Sequence, residues 1–441
     1  MVATLTKTVF DDLDTLKKEL LRCMKCGNCM SVCPIYSVEK KESSVARGKI
    51  ALGEAVLSDE ISIDDETLVK LLFNCLVCKS CMLACPSGVR FDRIILGLRA
   101  AIAKKKGIPF VKKALFGLLK NPELFDKSMK AFAAMQGLFL SAEVEKKRKL
   151  RGFLRGFTKR FDDKFILPEL SKESFRDKVK EKEEVSSSQA TTLFFTGCSV
   201  NYLYPEVGDD VVYVLKKNDT SVITPKAQTC CGMPVMVHGD IDTARDLAIK
   251  NLDIFEKVNA EYIVTVCGSC GGALKHEYPI ILEGTEYEEK AKKWAQKVYD
   301  ISVFLLKVIK FKEPKGKLNL RVTYHDSCHL KKSMKVFNEP RQLLKMIPGI
   351  TFVEMKKPDL CCGSGGSYHL THAETSIKIS KAKAEDIKAT EADIVCTGCP
   401  ACMMQIFESL YRFGGSCNVV HTMSLLAKSY KAEEESEAIY V

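Results

Sequence analysis

Residues 23–34 read Cys23-Met24-Lys25-Cys26-Gly27-Asn28-Cys29-Met30-Ser31-Val32-Cys33-Pro34, and residues 75–86 read Cys75-Leu76-Val77-Cys78-Lys79-Ser80-Cys81-Met82-Leu83-Ala84-Cys85-Pro86. Both stretches are C-x2-C-x2-C-x3-C-P. Of the twenty cysteines in the chain, eighteen fall into four spaced sets, of which these are the first two. Thiols at such intervals form ligand patterns for metal clusters rather than a disulfide framework. The proline after each fourth cysteine stops the turn from continuing as helix and fixes its geometry.

The run is the bacterial ferredoxin pattern, in which three thiolates wrap one corner of a cubane and the fourth reaches across to the other cluster. Two copies imply two 4Fe-4S cubanes. The crossed assignment places Cys23, Cys26, Cys29 and Cys85 on one cluster and Cys75, Cys78, Cys81 and Cys33 on the other. Structural zinc asks only for two C-x2-C pairs, so the triple spacing with proline, found twice, argues against it.

The other two sets share a different plan. Cys198 is followed by Cys230-Cys231-Gly232 and then Cys267-Gly268-Ser269-Cys270, whereas Cys328 is followed by Cys361-Cys362-Gly363 and then the segment Cys396 to Cys402. Aligning Ala260–Cys267 with Ala392–Cys399 without a gap matches Cys399 to Cys267 and Cys402 to Cys270, and leaves Cys396 opposite Val264. Offsets of 130, 131 and 132 residues then relate the single cysteine, the doublet and the pair of the two copies. Cys396 and Cys417 are read as spare, packed as small apolar side chains. Each repeat offers five thiols where a cubane needs four, which points to an unusual cluster with a bridging thiolate. A cubane with one idle cysteine, or a structural zinc, stays open as an alternative.

A duplicated Cys…CysCysGly…Cys-x2-Cys frame behind a two-cubane domain resembles the CCG domains of heterodisulfide reductases. The order is similar to the D-type subunit of heterodisulfide reductase and its relatives, the iron-sulfur subunits of glycolate oxidase, lactate utilisation enzymes, anaerobic glycerol-3-phosphate dehydrogenase and thiol-fumarate reductase. The resemblance spans residues from about 20 to 425. It implies a non-cubane 4Fe-4S cluster in each complete repeat, and a pair of clusters that cleaves a substrate disulfide by one-electron steps. The ligands it implies are Cys198, Cys230, Cys231, Cys267 and Cys270 for one, and Cys328, Cys361, Cys362, Cys399 and Cys402 for the other. Several dehydrogenase relatives have lost cysteines from one repeat, and this chain has lost none.

At 441 residues the chain has room for two to three domains. Its 67 Lys plus Arg against 56 Asp plus Glu give a weakly basic balance of +11. Thiols kept free for metal argue for a reducing cytoplasm. Residues 1–22 read as a mixed-charge amphipathic helix and not as a secretory signal. In the helical middle region the longest uncharged stretch, Ala131 to Ala142, falls well short of the ~20 residues of a spanning helix, so membrane contact is expected to be peripheral, on the inner face, or through a partner.

Residues 1–105 read as an all-helical ferredoxin domain, with helices Ser44–Leu57 and Asp64–Phe73 capped by Ser44 and Asp64. Residues 106–170 read as an apolar and basic helical connection. It runs from Pro109 through Phe110, Leu115, Phe116, Leu119, Phe125, Phe132, Leu138 and Phe139 to Lys146, Lys147, Arg148, Lys149, Arg151, Arg155, Lys159 and Arg160. Such a stretch packs on its own protein or forms a platform for a membrane partner or anionic headgroups. Residues 171–190 are polar and serine-ending, a linker and domain boundary. Beyond it lie two CCG domains, 191–315 and 316–441, where short β-rich runs alternate with helices: Thr191–Thr196, Tyr262–Val266, Asn319–Tyr324, Thr351–Glu354 and Asp393–Val395. Each repeat's single cysteine follows a strand and each Cys-x2-Cys opens a helix, where ligands gather in α/β folds. The expected fold is therefore α/β with an all-helical ferredoxin domain and duplicated α/β CCG lobes in pseudo-two-fold symmetry, facing a shared cleft.

Gly232 and Gly363 allow positive φ and close approach of backbone to sulfur, which makes them cofactor-binding candidates. The run Gly363-Ser364-Gly365-Gly366-Ser367 lacks the Lys-Ser/Thr of a phosphate loop, and no G-x-G-x-x-G follows a strand, so neither flavin nor nicotinamide is expected in this chain. His325 and His329 flank Cys328 in a segment resembling the HDPCHL of the relatives. They are the catalytic candidates, as proton donors for disulfide reduction. Alternatively they hydrogen-bond to backbone or a cluster sulfur and tune its potential.

Two function classes fit. In the first, the cubanes carry electrons to paired CCG clusters that reduce a thiol cofactor disulfide, fed by a redox partner such as a membrane b-type cytochrome. In the second, the chain is a relay from an FAD-linked lactate, glycolate or glycerol-3-phosphate dehydrogenase subunit to quinone. A zinc scaffold is a weaker third. No nucleic acid partner is expected.

Overall fold

The computed structural model describes residue 8 and residues 10–144, 147–150 and 161–438. The expected N-terminal helix is shorter than its pattern implied: a 3-10 turn Leu13–Leu16 runs into Lys17–Leu21, capped by the Asp12 carboxylate accepting from the Asp14 N–H. Residues 1–7 and 9 lie outside the described residues.

The ferredoxin part is helical, as expected. Its core gathers Leu16 and Leu20, Ile50 of helix Ala46–Leu57, Leu68 and Leu72 of Glu66–Phe73, and Ile94, Ile95 and Leu98 of Phe91–Lys106, all 2% exposed or less. Both expected caps differ. The Ser44 hydroxyl donates to Glu39 at 2.6 Å, and the helix after it starts at Ala46 behind an extended Val45. Asp64 accepts a short hydrogen bond from Ser62, which leaves the adjacent Asp65 to accept the Leu68 N–H at 2.8 Å. Local side-chain partners decided both contests.

Helices Phe110–Leu119 and Pro122–Phe139 form the start of the connection. The helical reading fails after Phe139. Strands β1 (Leu140–Val144), β2 (Lys147–Leu150) and β3 (Ile166–Pro168) form a small antiparallel sheet, with Leu140 opposite Leu150. Leu140 and Phe165 are buried together in a separate apolar cluster, which rewards the extended chain over another helical turn. Lys146, Arg151, Arg155, Lys159 and Arg160 lie outside the described residues. Within 171–190, read as a linker, Phe175 of the turn Phe175–Lys178 is fully buried against Gly208, and β4 (Lys182–Glu183) pairs with the first lobe's sheet.

That sheet also contains β5 (Ala190–Phe195), β6 (Thr220–Ile223), β7 (Tyr262–Thr265) and β8 (Val298–Asp300), in the order β4-β6-β5-β7-β8, parallel except for β4. A second parallel sheet runs β10-β9-β11-β12, from β9 (Leu320–His325), β10 (Ile350–Phe352), β11 (Ile394–Thr397) and β12 (Asn418–His421). In each, the first strand of the repeat is flanked by the second on one side and the third on the other. The chain therefore reverses its order there, making a crevice at the carboxyl ends of the strands. Short β6, β8 and β12 had not been read from sequence.

Candidate metal centres

Cys33, Cys75, Cys78 and Cys81 line one small cavity, and Cys23, Cys26, Cys29 and Cys85 line another that Cys81 also touches. The fourth cysteine of each motif thus joins the other motif's triplet, the arrangement the crossed assignment calls for. Burial pushes the Cys33 thiol up to about 12, with the nearby Cys75 and Cys78 adding to it. Burial raises Cys417 in the same way, so what marks Cys33 as a ligand candidate is its place beside the triplet of the other motif.

In the first lobe Cys198 follows β5, Cys230 and Cys231 follow β6, and Cys267 caps the helix Gly268–Gly272 behind β7. The second lobe repeats this: Cys328 opens Cys328–Lys332 after β9, Cys361 and Cys362 follow β10, and Cys399 caps Pro400–Arg412 behind β11. Gly232 and Gly363 have φ of 81° and 91°, as expected, and the Gly363 N–H donates to Cys361 Sγ at 3.4 Å. A Cβ at Gly363 would stand 2.8 Å from the Ser376 carbonyl oxygen.

The thiols form a chain. Within the first set Cys198 reaches Cys230, Cys230 reaches Cys231, Cys231 reaches Cys270, and Cys270 reaches Cys267. Cys267 in turn reaches Cys399 of the second set, which reaches Cys402. Cys402 is 3.6 Å from Cys362, and Cys362 contacts Cys361. Interactions with Cys230 and Cys270 lower Cys231, those with Cys361 and Cys402 lower Cys362, and those with Cys267 and Cys402 lower Cys399. All of these except Cys198 are buried, and half-buried Cys328 packs against the cluster that contains Cys361. Cys396, fully buried on β11, packs in the apolar core of the lobes, while the first doublet, Cys362 and both Cys-x2-Cys pairs belong to a different cluster.

His325, at the end of β9, is 1% exposed, and neither ring nitrogen has a hydrogen-bond partner. It stands with Cys362 and Cys402 so that the three ligand atoms lie within 4.8 Å of one another. An orphaned buried imidazole beside two thiols fits a metal or sulfide at that point. His329 is placed differently. Its Nε2 meets the Val77 carbonyl at 3.2 Å, inside the ferredoxin loop between Cys75 and Cys78.

The interface between ferredoxin and lobes is direct packing. Ile35, Leu76 and Cys78 share a buried cluster with Cys361, Tyr368 and Ile379, and Cys33 and Cys328 pack against it. Sequence reasoning missed the lysines and acids here. Lys79, between Cys78 and Cys81, pairs with Glu277 at 2.6 Å and Asp92 at 3.2 Å, with all three side chains 8% exposed or less. Glu277 ends a π-helical turn, Ala273–Glu277, of the first lobe. Lys332 donates to Ser80 Oγ at 2.5 Å, and the Cys78, Cys328 and Cys361 sulfurs raise its pKa against the larger effect of burial. Only the spacing of the two lysines, one and four residues from a motif cysteine, hinted at a role.

Comparison with known proteins agrees with this geometry. A cysteine-rich domain model, CCG, matches residues 192–275 and 322–407, and a 4Fe-4S dicluster domain model matches residues 19–89. The chain is 31% identical to the probable glycolate oxidase iron-sulfur subunit of Bacillus subtilis, over 93% of this chain and 94% of that one. An uncharacterized iron-sulfur protein of Methanococcus maripaludis is 32% identical over 91% of this chain and 70% of its own length. A subunit of the fumarate reductase (CoM/CoB) of Methanothermobacter marburgensis is 40% identical over 54% of this chain and 46% of its own.

Proposed function

Because the chain belongs to the family of iron-sulfur subunits that join a 4Fe-4S dicluster domain to CCG cysteine-rich domains, we propose that it is an electron-transfer oxidoreductase subunit whose paired CCG sites reduce the disulfide of a small thiol cofactor. The observation that carries this reading is the completeness and contact of the two five-cysteine sets, joined at Cys267 and Cys399. Two adjacent centres give each sulfur of a disulfide its own site, which a simple relay does not need. Matching strand orders around the two sets support lobes related by a pseudo-two-fold axis.

Bound in these sites, iron-sulfur clusters supply one-electron steps and iron positions for the substrate sulfurs. The chain's own residues do the rest. The cysteines named above hold the clusters, two cubane and two of CCG type. Reduction of R–S–S–R′ to two thiols takes two electrons and two protons, and the His325 imidazole, beside Cys362 and Cys402, is placed to deliver one proton. His329 ties the second lobe to the loop of the nearer cubane through Val77. Exposed Leu21, Met24 and Leu83 surround the motif of the outer cubane, where Cys26 is exposed, and suit docking of the electron-donating subunit. Phe110, Val111, Leu115, Phe132 and Leu138 are exposed on the connecting helices and suit a membrane-bound partner or the membrane's inner face. No helix among the described residues is long and apolar enough to cross a membrane.

The relay reading, with an FAD-linked dehydrogenase subunit as donor and quinone as acceptor, is favoured by the full-length likeness to the probable glycolate oxidase subunit. One experiment separates the two. The complex, purified without oxygen and given a low-potential reductant, should release thiol from a small cofactor disulfide, and Cys362→Ala should abolish this with the cubane spectra intact. Dye-linked oxidation of lactate, glycolate or glycerol 3-phosphate, with no thiol from any disulfide, would assign the chain to the relay class.

A further inference from the structure

A cavity opens where five parts of the chain meet: residues 73–77, helix Phe91–Lys106, helix Phe110–Leu119, the turn after Met233–Met236, and the loop beyond the second doublet. Its wall carries Arg99, Lys112, His238, Ser367 and His372, and no aspartate or glutamate. Arg99 is 3% exposed and donates to the carbonyl oxygens of Leu72, Phe73, Cys75 and Val237 at 2.8–3.2 Å. Among the described residues no carboxylate is within ion-pair distance of Arg99 or Lys112. Glu39, which acts on His372 from nearby, is held by Ser44, Asn74 and Thr375 and does not line the cavity. Arg99 is met by backbone carbonyls and by the field of the Cys75 sulfur, whereas half-buried Lys112 has no carboxylate partner, so an acceptor from outside would satisfy its remaining donors.

The hydrogen-bond polarity of the wall says what kind of anion. The Lys112 ammonium only donates, so His238 Nδ1, 3.2 Å away, must accept. The ring proton then sits on Nε2 and donates to Ser367 Oγ at 2.6 Å. That leaves the Ser367 hydroxyl hydrogen and two Lys112 hydrogens facing the cavity as donors, with the imidazole neutral because burial, then Lys112 and Arg99, hold its pKa near 4. A ligand here should therefore be rich in acceptors.

We propose that this cavity is a binding site for a small oxyanion, a carboxylate or a phosphate, held by Lys112 and Ser367 in the field of Arg99. It lies against Cys75 of the nearer cubane motif and Gly365 of the loop after Cys362, so its occupant touches both the ferredoxin part and the second lobe. Of the cluster cysteines only Cys75 lines the cavity, and the proposal does not depend on which reaction the CCG sets perform.

Isothermal titration of the cluster-loaded protein without oxygen tests it, with inorganic phosphate and succinate as separate arms and glycerol as the neutral control. Saturable binding of phosphate or succinate, weakened roughly ten- to a hundredfold in both Lys112→Met and Ser367→Ala, is the expected result, and the arm that binds identifies the source. No binding of either anion to the wild-type protein, or binding that both substitutions leave unchanged, would overturn the proposal. Because Ser367→Ala removes one hydroxyl from a loop, it remains informative if Lys112→Met folds poorly.

Discussion

Cys267 and Cys399, the leading cysteines of the two Cys-x2-Cys pairs, face each other across the boundary between the lobes, close enough that each thiol shifts the other's pKa. The approach depends on small residues. A Cβ at Gly268 would stand 2.6 Å from the Leu330 backbone nitrogen, and one at Gly398 would stand 2.7 Å from the Leu330 side chain.

Contact between the sets should couple the two centres. Cys267→Ser is expected to alter the electron paramagnetic resonance signals of both while leaving the cubane signals unchanged. A change confined to one centre would show that the sets act independently.

The Lys79, Asp92 and Glu277 group clamps the ferredoxin loop to the first lobe. Lys79→Met leaves buried Glu277 without its cation and Asp92 with Arg90 alone, and the expected loss is about 3–5 kcal/mol in anaerobic urea unfolding. The lysine's pKa is raised because Glu277 and Asp92 outweigh the opposing, larger single effect of burial. Its stabilisation is accordingly present at every pH below the ordinary lysine value of 10.5 and is lost as pH rises through the still higher folded value. Wild type and variant should differ equally at neutral and mildly alkaline pH and converge only in strong alkali.

Lys332 lies in the field of Cys78 on one side and Cys328 and Cys361 on the other. Removing its positive charge with Lys332→Gln should lower the midpoint potential of the neighbouring centres, on the order of 50 mV. A potentiometric titration that shows no shift would reduce Lys332 to a packing and hydrogen-bonding role at Ser80.

The two candidates for the last ligand pair separate cleanly. Cys396 is buried in the apolar core of the lobes, opposite Tyr324 and Val420 of the neighbouring strands, whereas Cys402 contacts Cys362 at 3.6 Å. Cys396→Ser should retain full iron, and Cys402→Ser should lose most of the second CCG centre. The reverse ranking would contradict the gap-free alignment of the repeats.

Covalent spacing made the cysteine sets, and the strand-cysteine-helix order around them, readable from sequence, because each depends on a few neighbouring residues. The turn to antiparallel strands at Leu140 was not readable, since its driving contact is with Phe165. Nor were the caps, where Glu39 competes for Ser44 and Ser62 for Asp64. Lys79 and Glu277 are 198 residues apart, and no periodicity reports such a pair. His329 looked equivalent to His325 by flanking Cys328, yet β9 ends so that one ring faces thiols and the other the Val77 carbonyl.

The most direct test of the central claim, that both five-cysteine sets hold iron-sulfur clusters beside two cubanes, is the metal content of the chain purified without oxygen. Four clusters predict about sixteen iron atoms per chain and little zinc. About eight iron atoms with two of zinc would contradict it, leaving the cubanes in place and the CCG lobes as a zinc scaffold.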